Sequence, residues 1–287
     1  AVDDEHAGDR QPAVELRQDP TPVAELAQGV DFAAAIGAKI SAVACEVEFR
    51  IPGSVVGNLL NVPALAAAES RKSSTNALAL LTTFQQAAEK REVFHERRSE
   101  TCLISEVADV LVEHARLRDL TIVPVGEGDY VDVGDWYVEQ IVFGSGRPTL
   151  ITPKPASHRG ALTLNTAVVA WDFSRPAART IADAIPILAM AKRVYVVTVT
   201  GDKAINTRHS GAELSKHLAH HDVEVTLDTV DAAGRSTGDA LDSYVASREA
   251  DLLVMGAYGH SRIRDFILGG ATKSMLARPS LPIFLSH

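Results

Sequence analysis

The stretch MGAYGHSRIRDFILGGATKSML, residues 255–276, gathers the residue types that can hold a phosphate. Gly256 and Gly259 stand close together, and a longer gap leads to Gly269, Gly270, Ala271 and Thr272, just ahead of the helical pattern TKSMLAR. Glycines there would turn the chain at positive φ and let a ligand approach the backbone closely. A glycine pair at a helix start offers unobstructed N–H groups, and Thr272 adds a hydroxyl, which together make a phosphate cradle. Arg262 and Arg264 either reach a polyphosphate or are solvated loop charges, and the sequence leaves both readings open. The same spacing also suits a tight loop that binds nothing. Neither G-x-x-x-x-G-K-S/T nor G-x-G-x-x-G after a strand is present, so the common nucleotide signatures do not apply.

Other reactive side chains are sparser. His260 and Ser261 are adjacent in sequence, which does not orient a base against a nucleophile, and no third group accompanies them. The expectation is therefore a binder rather than an efficient enzyme, with a non-binding scaffold as an alternative. His217 and His221 sit at i, i+4 on one helix, a spacing a transition metal can use, but no third ligand can be named and no metal is assigned. Cys45 and Cys102 are the two cysteines of the chain. They read as buried small apolar groups, with a redox role as the alternative. Without CxxC or a disulfide framework, they fit a reducing cytoplasm.

The elements that must position these residues come in a repeated order. AVELRQDPTPVAELAQGVDFAAAIGAKISAVACE, from Ala13, lays against TAVVAWDFSRPAARTIADAIPILAMAKRVYVVTVT, from Thr166. In each, an apolar run ends in Asp (Asp19, Asp172), Pro follows (Pro22, Pro176), and an Ala-rich helical period leads to a β-branched strand. Further on, each half gives a strand, an amphipathic helix, a buried apolar run and a short closing strand after Pro, PTLITP and LPIFLSH. Strands alternating with helices predict an α/β fold: two tandem open parallel-sheet, Rossmann-like domains with helices on both faces, related by a pseudo-two-fold axis. The Pro- and Gly-rich PKPASHRG, residues 153–160, separates them, giving domains at 1–155 and 156–287. The first half carries an extra segment, 51–77, expected as a loop that covers something or packs outward. The closing strands are expected at sheet edges, where unpaired backbone invites a partner. They are expected to pair antiparallel with each other as an internal dimer, while a homodimer on other surfaces stays open.

Composition limits the function classes. The 287 residues exceed what a single core comfortably fills, which favours two domains. A formal net charge of -9 disfavours a non-specific binder of nucleic acid or acidic membrane, so an anionic ligand has to be held locally. The apolar run from Ala184 to Thr200 is split by Lys192 and Arg193, and no membrane span is expected. AVDDEHAGDRQP has neither a basic nor an apolar leader region, and no signal peptide is expected from it.

The glycine spacing after a strand ending at Met255, with VVAWD some 84 residues before Gly256, resembles the universal stress protein family in its tandem, two-domain form. The resemblance runs from about residue 13 to 287 and is strongest in the second half. It implies an adenine-nucleotide alpha-hydrolase-like fold and a cytoplasmic stress-response protein that binds ATP or another adenine nucleotide, with or without magnesium; a slow ATPase or nucleotidyl-transfer enzyme is the alternative and a non-binding scaffold the second. Ala170, Trp171 and Asp172 would then lie by the adenine and ribose. Val199 would offer backbone to the base, and Met255 and Gly256 would run along the ribose. Gly259 and His260 would lead to the phosphates, held by Gly269, Gly270, Ala271 and Thr272. Gly270 departs from the family's usual Ser or Thr, which removes a hydroxyl. In the first half Trp136 aligns with Gly270, and Glu127, Asp129, Asp132 and Asp135 stand where phosphates would go, so that half is expected not to bind nucleotide.

Overall fold

Runs of β-branched and small apolar residues alternate with Ala-rich helices throughout the computed structural model. It describes residues 12–16, 23–49, 62–125, 136–153, 164–201, 210–257, 275 and 279–287. Two units are distinguished, residues 1–122 and 123–287.

In the first unit, β1 (Pro12–Leu16), α1 (Val23–Ala35), β2 (Ile40–Glu48), α2 (Val62–Lys90), β3 (Phe94–Leu103), α3 (Val107–Arg116) and the start of β4 (Leu120–Val125) follow in order. The strands run β3-β2-β1-β4 across the sheet. Ser41 stands beside Ala13, Ala13 beside Thr121, and all these pairings are parallel. Ile40, Ala42, Ala44, Phe84 and Ile122 are almost wholly removed from water. The segment expected as a loop at 51–77 is different: residues 62–77 belong to α2, a helix of 29 residues, and residues 51–61 lie outside the described residues. Alanine is the commonest residue of this stretch, and alanine favours helix over loop.

In the second unit, α4 (Trp136–Gly144) and β5 (Thr149–Pro153) precede β6 (Thr166–Ala170), α5 (Arg175–Leu188), β7 (Arg193–Thr200), α6 (Gly211–Ala219) and β8 (Val225–Asp231). Then come α7 (Thr237–Ser247), β9 (Leu252–Gly256) and β10 (Ile283–Ser286). The strand order is β5-β10-β9-β6-β7-β8. β6, β9, β7, β8 and β10 are parallel to their neighbours among themselves. β5 joins antiparallel, with Ile283 opposite Ile151 and Phe284 opposite Leu150. The two closing strands therefore pair with each other, and β10 becomes an interior strand between β9 and β5 rather than an edge.

α5 shows how the sequence builds the region around Asp172. Ser174 caps the helix, its hydroxyl accepting from the Ala177 N–H, and Pro176 sits in the first turn, where no helical N–H is needed. Ala177, Ile181, Ala184 and Leu188 recur at helical spacing and are buried. Among the described residues no helix is long and apolar enough to cross a membrane.

Candidate functional site

β6, β7 and β9 end side by side. In parallel α/β sheets, the carboxyl ends of adjacent strands are where ligands bind. Ala170 is in register with Val197, and two residues further along each chain this brings Asp172 level with Val199. Val169 is in register with Val254, so Trp171 comes level with Gly256 by the same count. Past the end of β6, the Trp171 N–H still donates to the Val197 carbonyl at 2.9 Å. The structure thus brings Ala170, Trp171, Asp172, Val199, Met255 and Gly256 to one edge of the sheet. Gly259, His260, Gly269, Gly270, Ala271 and Thr272 lie outside the described residues, as do Ser261, Arg262 and Arg264.

Asp172 opens the turn into α5. Its Oδ1 accepts from the Ser174 N–H at 3.0 Å, and the intervening Phe173 is held at φ 63, a conformation uncommon for a bulky side chain. Local strain of this kind gathers at functional sites. Phe173 and Trp171 face each other with ring centroids 5.3 Å apart and planes tilted by 54°. The indole Nε1 of Trp171 is buried and has no hydrogen-bond partner. A buried donor left unpaired costs about 1–3 kcal/mol, so it is an anomaly that needs an explanation.

Gly256 has a different reason from the one its spacing suggests. It lies in strand β9, paired with Ser286, and is not among the residues at positive φ. A Cβ on it would meet the Ala177 backbone nitrogen at 2.6 Å and the Pro176 carbonyl carbon at 2.7 Å. Its missing side chain is taken up by the first turn of α5. The positive φ expected there occurs instead at Gly201, φ +87, just after β7, where a Cβ would stand 2.4 Å from Asp231 Oδ1. Nothing in the glycine spacing distinguishes a glycine needed for helix packing from one needed by a ligand.

Behind this edge, Thr180 and Asp183 of α5 tie the helix to β10. The Thr180 hydroxyl donates to the Ser286 carbonyl at 3.0 Å, and the Ser286 hydroxyl donates to Asp183 Oδ2 at 2.6 Å. Sequence reasoning missed both, because their partners are more than a hundred residues away and no local pattern links them.

The rings of His217 and His221 meet edge to face at 5.1 Å. Among the described residues no group of three or more His, Cys, Asp or Glu is arranged to hold a metal ion. Residues 126–135, with the acidic Glu127, Asp129, Asp132 and Asp135, lie outside the described residues, and Trp136 begins α4. In the first unit, a polar cleft of about 480 Å³ lies between α2 and the ends of β2 and β3. There Glu46 accepts from the Ser74 hydroxyl at 2.7 Å and from Ser99. The Ser99 and Ser74 hydrogen bonds hold its carboxyl below the usual range against the opposing effect of burial. Ser73 and Ser70 accept from the Val47 and Phe49 N–H groups. The serines of SRKSST thus staple α2 to the edge of β2, which is a structural role.

The universal stress protein family model matches residues 164–287. A universal stress protein of Synechocystis is 28% identical over 150 residues, and the chain spans about half the length of this curated relative, 49% of it. A universal stress protein from Archaeoglobus fulgidus shares the fold with a TM-score of 0.74 at 13% identity, covering 97% of this chain and 96% of that one. A functionally unknown protein from Pseudomonas aeruginosa gives a TM-score of 0.56 at 13% identity, covering 97% and 92%.

Proposed function

We propose that residues 164–287, which the universal stress protein family model matches, bind ATP or a related adenine nucleotide and serve as a binding module in a stress response. The site would be the shared edge of β6, β7 and β9. The observation that carries the reading is the unpartnered, buried indole N–H of Trp171 next to Asp172. An indole N–H is donor only, and a carboxylate is acceptor only. Together they match a nucleoside, which presents ring-nitrogen acceptors on the base and hydroxyl donors on the ribose. Asp172 spends Oδ1 on the Ser174 N–H, leaving Oδ2 for a ribose hydroxyl. Val199 would meet the base through its backbone, and the loop carrying Gly259, His260 and Gly269 to Thr272 would take the phosphates.

The chain's residues bind and orient in this reading; they do not transfer protons. Neither His260 nor Ser261 has an orienting partner in the sequence pattern, and a general base must stand within hydrogen-bond reach of its target. Turnover of ATP with magnesium should stay far below the median enzyme value of about 10 per second.

A non-binding scaffold is the second reading, favoured by one observation: Gly256 is consumed by packing against α5 rather than left open for a ligand. The first half, with acidic residues where phosphates would go, would be a partner that binds no nucleotide. Pairing of β5 with β10 supports a last strand that is occupied within the chain, in place of a dimer through it. An equilibrium titration with ATP separates binder from scaffold, and steady-state turnover separates binder from enzyme.

A further inference from the structure

The chain has two cysteines, 57 positions apart, and the fold of the first unit brings them together. Cys102 of β3 is in register with Val47 of β2, and Cys45 lies two residues before Val47. Side chains two apart on a strand share a face, as do residues in register, so both thiols project from the same side of the sheet as diagonal neighbours. Neither is in a disulfide and both are buried, Cys45 at 9% exposure and Cys102 at 7%. Their side chains are hydrogen-bonded to each other.

We propose that Cys45 and Cys102 are a redox pair that closes reversibly into a disulfide when the protein meets a hydroperoxide. The balance is simple. One thiolate sulfur attacks the peroxide O–O bond, giving a sulfenic acid and releasing alcohol or water. The second thiol then displaces the sulfenic oxygen as water, forming S–S. The two sulfurs lose two electrons in all, the peroxide gains them, and both thiol protons end up in the hydroxyl products. The product is neutral, as the two thiols are, so closure places no charge in the apolar interior.

Geometry sets how tight the closed form is. Diagonal neighbours on parallel strands, one strand spacing across and two residues along, stand about 8 Å apart at Cα, while cysteines more than about 7 Å apart at Cα are bridged only if the backbone moves. β3 must therefore slide along β2 by on the order of an ångström. It is the outermost strand of its unit among the described residues, bonded on one side to β2, so such a shift breaks no second ladder. A bond closed against that displacement is readily reduced, which makes the pair reversible. Burial, with the charges of Glu106 and Glu100, raises the Cys102 thiol above its ordinary value despite the hydrogen bond from Cys45. The thiolate is therefore scarce at neutral pH, and closure accelerates as pH rises.

The test is intact-mass spectrometry of the folded, reduced full chain treated with hydrogen peroxide at pH 7 and pH 9. The expected result is loss of the mass of two hydrogens per chain, faster at pH 9. A peptide linking residues 45 and 102 should appear, both thiols should become unreactive to a maleimide, and dithiothreitol should reverse all three changes. Cys102→Ala should abolish the mass loss. If that variant does not fold, the linked peptide from the unsubstituted chain decides by itself. A chain that keeps both thiols after a day at pH 9, gains oxygen without losing hydrogen, or links only between two chains overturns the proposal.

Discussion

The position a Cβ would take on Gly256 lies 2.6 Å from the backbone nitrogen of Ala177. The end of β9 and the first turn of α5 are in contact with no room for a methyl group, and the atoms that would have to yield are backbone. Gly256→Ala should therefore cost about 3 kcal/mol, the upper end of the range for overpacking. Urea unfolding of the second unit would register this in the absence of any nucleotide. A loss under about 1 kcal/mol would mean that α5 gives way and that the glycine serves something else.

Asp172 has two tasks that a conservative change separates. Asparagine keeps the side-chain oxygen that accepts from the Ser174 N–H, so Asp172→Asn should fold with an unchanged melting temperature. It removes the charge offered to a ribose hydroxyl, and hydrogen bonds to charged groups contribute about 1.5–3 kcal/mol. ATP affinity should fall by roughly tenfold or more. An unchanged affinity would remove Asp172 from the site.

Tyr244 of α7 donates its hydroxyl to Asp228 of β8, while Arg248 lies 4.7 Å above the Tyr195 ring and reaches Asp228 at 2.6 Å. Burial first, then the Asp228 hydrogen bond, pushes the phenol up to about 12. The folded value exceeds the unfolded one of about 10. The protonated phenol's contribution to stability is thus complete below pH of about 10 and is lost as pH rises toward about 12. Tyr244→Phe should lower stability at pH 8 and flatten its decline over that window. A decline of equal steepness in the variant would assign the alkaline loss to other groups.

Ile151 and Ile283 face each other across the antiparallel β5–β10 pair, and both are fully buried. Ile283→Lys would place an unpaired charge there, which is among the few changes that cost several kcal/mol. The variant should bind a hydrophobic dye and lose cooperative unfolding. His217→Lys, on the exposed side of α6, should stay within about 0.5 kcal/mol of the parent. Equal behaviour of the two variants would contradict the central position of β10.

Much of the fold was legible because the strands of buried parallel sheets, such as LLVM in β9 and TAVVA in β6, are continuous apolar runs that need little context. The antiparallel pairing of PTLITP with LPIFLSH was readable from their shared place at the end of each repeat. α2 was not, because its polar SRKSST face resembles a loop until Ser70, Ser73 and Ser74 are seen bonding to β2. At the candidate site, Asp172 and its neighbours could be found through the VVAWD run. The use of Gly256 could not, since a glycine carries no sign of which neighbour needs the space. Thr180 and Ser286 were invisible for a related reason: each is an ordinary polar residue until the fold places them against each other.

Binding of nucleotide by the second half alone is the central claim, and calorimetric titration of the full chain with ATP and magnesium tests it most directly. One saturable site per chain is the expected result, with Asp172→Asn weakening it and leaving the melting temperature in place. Two equal sites, or no saturable heat in a folded protein, would contradict it.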